Sequence, residues 1–107
     1  MIVPAGAKNF SQGLRMGTEV YHALKTLLKK HKLSRGIGDE GGFAPDLKDA
    51  EEVFDLLTDA ARMAGYETGK DIFFAMDAAA SELYNSEKET SFFGKRYATF
   101  DILRMGY

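Results

Sequence analysis

Cysteine is absent from the 107 residues, which excludes a disulfide framework and a thiolate metal site. An excess of positive charge is also missing: the formal net charge is −2, so there is no overall basic field and no nucleic-acid partner is implied. No apolar run approaches the roughly 20 residues needed to cross a bilayer. The opening Met1-Ile2-Val3-Pro4 has neither the charged region nor the long apolar region of a secretory signal. Internal repeats and low-complexity segments are lacking too. What is left, 45% apolar and 28% charged, is the composition of a globular chain with room for one small domain. The expectation is a soluble, cytoplasmic protein.

The stretch that stands out is Gly38-Asp39-Glu40-Gly41-Gly42-Phe43-Ala44-Pro45. Two adjacent carboxylates are flanked by glycine, which lets backbone fold tightly and approach a ligand closely. Such a loop ahead of a helix is a place to hold an acid for chemistry. On the loop alone, Glu40 also reads as a solvent-facing acid and Asp39 as a turn former or cap. The loop lacks the lysine and serine or threonine of a phosphate-binding loop.

Helices are predicted on both sides of it. From about Asn9 to His31, residues Phe10, Leu14, Gly17, Tyr21, Leu24 and Leu28 recur at spacings of four and three, with Val20 and Leu27 widening the stripe. Asn9 or Ser11 can cap the start, and Lys25, Lys29, Lys30, His31 and Lys32 crowd the end, where positive charge suits the helix dipole. That crowd reads as a solvated helix end, and His22 as a packed or hydrogen-bonded residue. The second helix runs from about Asp49 to Ala64, with Val53, Leu57, Ala60, Ala61 and Ala64 on one side. Asp49 with Glu52 forms a capping-box pattern, and Gly65 suits the residue just past the helix end.

Ile2-Val3 reads as the last residues of a strand. Ile72-Phe73-Phe74-Ala75-Met76 is an unbroken apolar run, which predicts a strand buried on both faces, as in a parallel sheet, with Phe73 and Phe74 in the core. It ends at Asp77, and ligands gather at the carboxyl ends of parallel strands. By itself Asp77 also suits a cap on the residues that follow. Ser81 has no evident base, so a hydrolase is not indicated. Beyond Tyr84 the text turns polar; Ser91-Phe92-Phe93-Gly94 suits a turn or short hairpin, and Tyr97 to Met105 has no clear period.

Four stretches together resemble the enolase (phosphopyruvate hydratase) family: Met1-Ile2-Val3-Pro4-Ala5-Gly6-Ala7, Arg15-Met16-Gly17-Thr18-Glu19-Val20-Tyr21-His22, the loop from Gly38 to Pro45, and Ala75-Met76-Asp77-Ala78-Ala79-Ala80-Ser81-Glu82. The resemblance covers residues 1–84, an enolase-like barrel segment, and leaves 85–107 as a divergent tail. It implies an α/β fold, part of an enolase-type (β/α)8 barrel in the order strand, helix, acidic glycine loop, helix, buried strand. A complete barrel of this kind needs about 250 residues.

For function the resemblance implies a glycolytic lyase: the reversible, Mg2+-dependent dehydration of 2-phosphoglycerate to phosphoenolpyruvate. Glu40 takes the position of the proton donor, or of a partner in handling the leaving hydroxyl, and Asp77 that of a magnesium ligand. The complete protein would be a homo-oligomer. The family's smaller leading domain, another catalytic glutamate, two further acidic ligands, the lysine base and the phosphate-binding groups have no counterpart here. The chain is therefore expected to be an internal barrel piece without activity of its own. The alternative is a non-catalytic interaction module or truncated paralogue derived from enolase, with open sheet edges and exposed apolar faces.

Overall fold

A computed structural model describes residues 1–77, 89–92 and 95–98. Its elements are β1 (Ile2–Val3), α1 (Phe10–Lys30), α2 (Ala50–Met63), β2 (Phe73–Phe74), β3 (Glu89–Phe92) and β4 (Lys95–Ala98). They fall into two compact units, Met1–Ala75 and Met76–Tyr107.

Both helices begin by the same device. The Gln12 N–H donates to Asn9 Oδ1 at 2.9 Å, while Gln12 Oε1 accepts from the Lys8 N–H at 2.8 Å. In α2 the Glu52 N–H donates to Asp49 Oδ1 at 3.0 Å, and Glu52 Oε2 accepts from the Lys48 N–H at 2.9 Å. The predicted capping pair is present, but its return bond reaches the residue before the cap. Each such cap is worth about 1 kcal/mol.

The two helices also end alike. After α2 the Tyr66 N–H reaches the Ala61 carbonyl and the Gly65 N–H the Arg62 carbonyl, with Gly65 at φ +89°. After α1 the Leu33 N–H reaches the Leu28 carbonyl and the Lys32 N–H the Lys29 carbonyl. This is the same double hydrogen-bonded closure, but its left-handed residue is Lys32 at φ 58°.

The core lies between α1, α2 and β2. Met16, Val20 and Ala23 of α1 meet the fully buried Ala60 and Ala61 of α2 and Ile72 beside β2. The alanines leave room for close helix approach, and Phe54 packs a tilted ring against Phe74. The predicted stripe on α1 holds in part: Val20 and Leu28 are fully buried and Leu24 and Leu27 pack against the core, while its first half does not. Phe10 and Leu14 are 83% and 62% exposed. The helix carries two apolar stripes roughly a third of a turn apart, and α2 covers the one through Met16, Val20 and Ala23.

β1 and β2 pair antiparallel, Ile2 opposite Phe74 and Val3 opposite Phe73. The Met1 ammonium and carbonyl both bond Ala75, at 2.8 and 3.0 Å. This corrects the parallel, doubly buried strand: an apolar run does not encode direction, and only one face of this ribbon meets a helix. Phe74 packs inward while Phe73 is 45% exposed. The turn after β1 brings the Gly6 N–H to the Asp71 carbonyl at 3.0 Å, so close that a Cβ on Gly6 would lie 2.8 Å from Asp71 Cα.

In the second unit β3 and β4 pair antiparallel, from Glu89 opposite Ala98 to Phe92 opposite Lys95, which agrees with the hairpin predicted around residues 91–94. The Ser81-Glu82-Leu83-Tyr84 run and most of the 85–107 tail lie outside the described residues.

Candidate functional site

The acidic loop is a small hairpin. Ile37 and Phe43 form an antiparallel bridge. Inside it the Gly38 N–H donates to the Gly42 carbonyl and the Gly41 N–H to the Gly38 carbonyl, both at 2.9 Å, with Gly41 at φ +82°. That is a three-residue loop whose last residue is left-handed, and it needs glycine there. Asp39 and Glu40 are its first two residues, so both carboxylates stand at the tip, exposed. Neither forms an ion pair among the described residues.

The hairpin is fastened to α1 by one aromatic stack. Phe43 lies against Tyr21 with ring centroids 4.5 Å apart and planes 20° from parallel. Tyr21 in turn meets the edge of His22, an exposed residue, at 5.8 Å. A rigid element thus holds the loop, and the loop presents Glu40 to solvent. A carboxyl group exposed on a fixed turn is placed for acid–base chemistry at a ligand brought to it.

Asp77 follows β2 by three residues and is exposed, a correction to the buried strand end expected for it. The two-residue strand stops before reaching it. Glu40 belongs to the unit Met1–Ala75 and Asp77 to the unit Met76–Tyr107, and each is placed within its own unit. Among the described residues no three Asp, Glu or His side chains gather to hold a metal ion. The described residues alone therefore do not complete a magnesium site, since that ion demands near-octahedral oxygen ligation. Among the described residues no helix is long and apolar enough to cross a membrane.

One polar cluster was not predicted. Arg15 Nε bonds Glu19 Oε1 at 2.8 Å, and the Tyr66 hydroxyl donates to Glu19 Oε2. The Tyr66 hydroxyl, and then Arg15, hold the Glu19 carboxyl below the usual carboxylate range. The same bond from Glu19 raises the Tyr66 hydroxyl above its ordinary value. The Arg15–Glu19 half is an i, i+4 pair that spacing shows; Tyr66 lies 47 residues from Glu19 and has no local signal. The cluster ties α1 to the closure of α2 and is structural.

The family model for the enolase C-terminal TIM barrel domain matches residues 1–98. An enolase of Corynebacterium kroppenstedtii is 47% identical over 106 residues, 98% of this chain and 25% of that protein. An enolase of Mycoplasmoides gallisepticum is 53% identical over 95 residues, 89% of this chain and 20% of that protein. The chain spans a quarter or less of the length of these curated relatives.

Proposed function

Because the chain belongs to the enolase family, we propose that it supplies part of the site of an enolase-type lyase, which dehydrates 2-phosphoglycerate reversibly to phosphoenolpyruvate. The observation that carries this reading is Glu40 itself. It stands exposed at the tip of a glycine-closed hairpin fastened to α1, within the stretch that carries the family resemblance. In the proposed step the substrate's C–O bond breaks and the hydroxide departs as water, taking the proton of the Glu40 carboxyl. A positioned acid of this kind contributes roughly 10²–10⁴-fold to rate. The proton removed from the neighbouring carbon goes to a base that this reading places outside the 107 residues.

Asp77 is proposed as one ligand of a Mg2+ site whose other ligands also come from outside the described residues. Such an ion neutralises charge that develops on the substrate. Small-molecule substrate, Mg2+ and homo-oligomeric assembly are thus proposals for a larger enzyme, and the isolated chain is expected to turn over no 2-phosphoglycerate. Turnover by the purified chain, abolished by Glu40→Gln, would show that the site needs nothing further. The working test is a chimera: the Corynebacterium kroppenstedtii enolase with its matching quarter replaced by these 107 residues. In it Asp77→Ala is expected to raise the Mg2+ concentration needed for half-maximal turnover. An unchanged Mg2+ requirement removes Asp77 from the metal site.

A further inference from the structure

The hairpin that carries Glu40 does little to aim it. Four of the seven residues 36–42 are glycine, and the Cβ that Gly42 lacks would meet nothing within 4 Å. A backbone so rich in glycine has more conformational freedom to lose than any other. Among the described residues, the hydrogen bonds of this hairpin stay within it and its stem: Gly38 to Gly42, Gly41 to Gly38, Ala44 to Gly36, and Gly36 to Ser34. None reaches α1 or α2. Those bonds fix the shape of the turn and leave its direction open. Direction comes from Tyr21, whose ring lies against Phe43 at the base of the turn, where Phe43 bridges to Ile37. Tyr21 is itself held, because Val20 and Ala23 beside it on α1 are buried in the core with Ala60, Ala61 and Ile72. A path of contacts thus runs from the core, through α1 and two stacked rings, to the turn that bears the acid.

We propose that Tyr21 is the positioning residue for Glu40: its ring, acting through Phe43, sets where the carboxyl meets the substrate. The proposal rests on reading Glu40 as the acid, and it gives Tyr21 no contact with substrate. The ring is what matters. Its hydroxyl takes no part in the stack, so phenylalanine at 21 serves as well, whereas alanine removes the stack and still favours the helix. The effect falls on rate more than on binding. A misplacement of about 1 Å costs on the order of 100-fold in a step that needs alignment. A tilt of the hairpin leaves the groups that bind the rest of the substrate in place.

The chimera tests this by turnover of 2-phosphoglycerate with Mg2+. Tyr21→Ala is expected to lower kcat by roughly 10- to 100-fold with KM changed by less than about twofold, and Tyr21→Phe to keep the parent kcat. A merely structural loss would act alike with or without Glu40, so the double variant decides. Tyr21→Ala added to Glu40→Gln is expected to cost less than about twofold more, because no acid is left to aim. A further fall as large as in the parent overturns the proposal, and so does a Tyr21→Phe variant as slow as Tyr21→Ala. Where Glu40→Gln lowers turnover and Tyr21→Ala does not, the positioning role alone falls. Where Glu40→Gln leaves turnover intact, the acid reading falls and the positioning role goes with it. The 107-residue chain gives a second measurement that needs no turnover. In it Tyr21→Ala, unlike Tyr21→Phe, is expected to speed amide exchange at Gly38 and Gly41 severalfold. Equal exchange in the parent and both variants overturns the proposal, whatever the chimera does.

Discussion

Gly41 and Gly6 are the residues where one methyl group matters most to the described unit. Gly41 holds φ +82° in the acidic hairpin, so Gly41→Ala is expected to cost about 1 kcal/mol, seen as a lower Tm. Gly6→Ala puts its Cβ against the Asp71 backbone, which cannot swing away as a flexible side chain would, and costs about 1–3 kcal/mol by the same measurement. Glu19 makes a pH-dependent contribution. Its carboxyl is held below the usual range by Tyr66 and then Arg15, so the folded value lies below the unfolded one. The stabilisation is fully present above the unfolded value and is lost as pH falls through the folded one. Glu19→Gln should therefore lower Tm at neutral pH, with the gap to the parent closing below about pH 4. A gap that stays constant with pH would place the effect in packing, not ionisation. Gly41, flanked by acids and another glycine, was legible as a turn residue. The need for glycine at 6 was not, because it comes from backbone 65 positions away.

Both helices were legible almost to the residue, since caps are local chemistry: Asn9 and Asp49 accept the bonds that end the search for a start, and Gly65 closes α2. The equivalent closure after α1 was hidden, because lysine is not the usual residue at a left-handed position. Lys32→Gly is expected to raise stability by roughly 0.5–1 kcal/mol, read by denaturant unfolding with an unchanged m-value. The choice of buried face was legible only in part. Periodicity finds an apolar stripe but cannot say how much of it a neighbour covers: Val20 and Leu28 of the predicted set are buried, while Phe10 and Leu14 stay exposed. The stack of Phe43 on Tyr21 is of the same non-local kind. Phe43→Ala should free the hairpin from α1 and speed amide exchange at Gly38 and Gly41, whose N–H groups close it. Exchange left unchanged would mean the loop holds itself.

At the scale of the whole molecule, sequence gave ancestry more readily than architecture. Glycine–acid–glycine spacing and the apolar run into Asp77 are local patterns, and they led to the family that the comparisons show. Strand direction is set by pairing, and β1 with β2 proved antiparallel. β3 and β4 were hard to read because Glu89-Thr90-Ser91-Phe92 and Lys95-Arg96-Tyr97-Ala98 carry too little apolar alternation to mark strands. Of the candidate site, the loop that carries Glu40 was legible as a glycine turn. The setting of Asp77 was not, because the strand that was to bury it is two residues long. The role proposed for Glu40 is that of the acid in an enolase-type lyase. Its most direct measurement is 2-phosphoglycerate turnover by the chimera with and without Glu40→Gln. The account predicts a loss of about 100-fold or more at unchanged Tm; turnover that survives the substitution would contradict it.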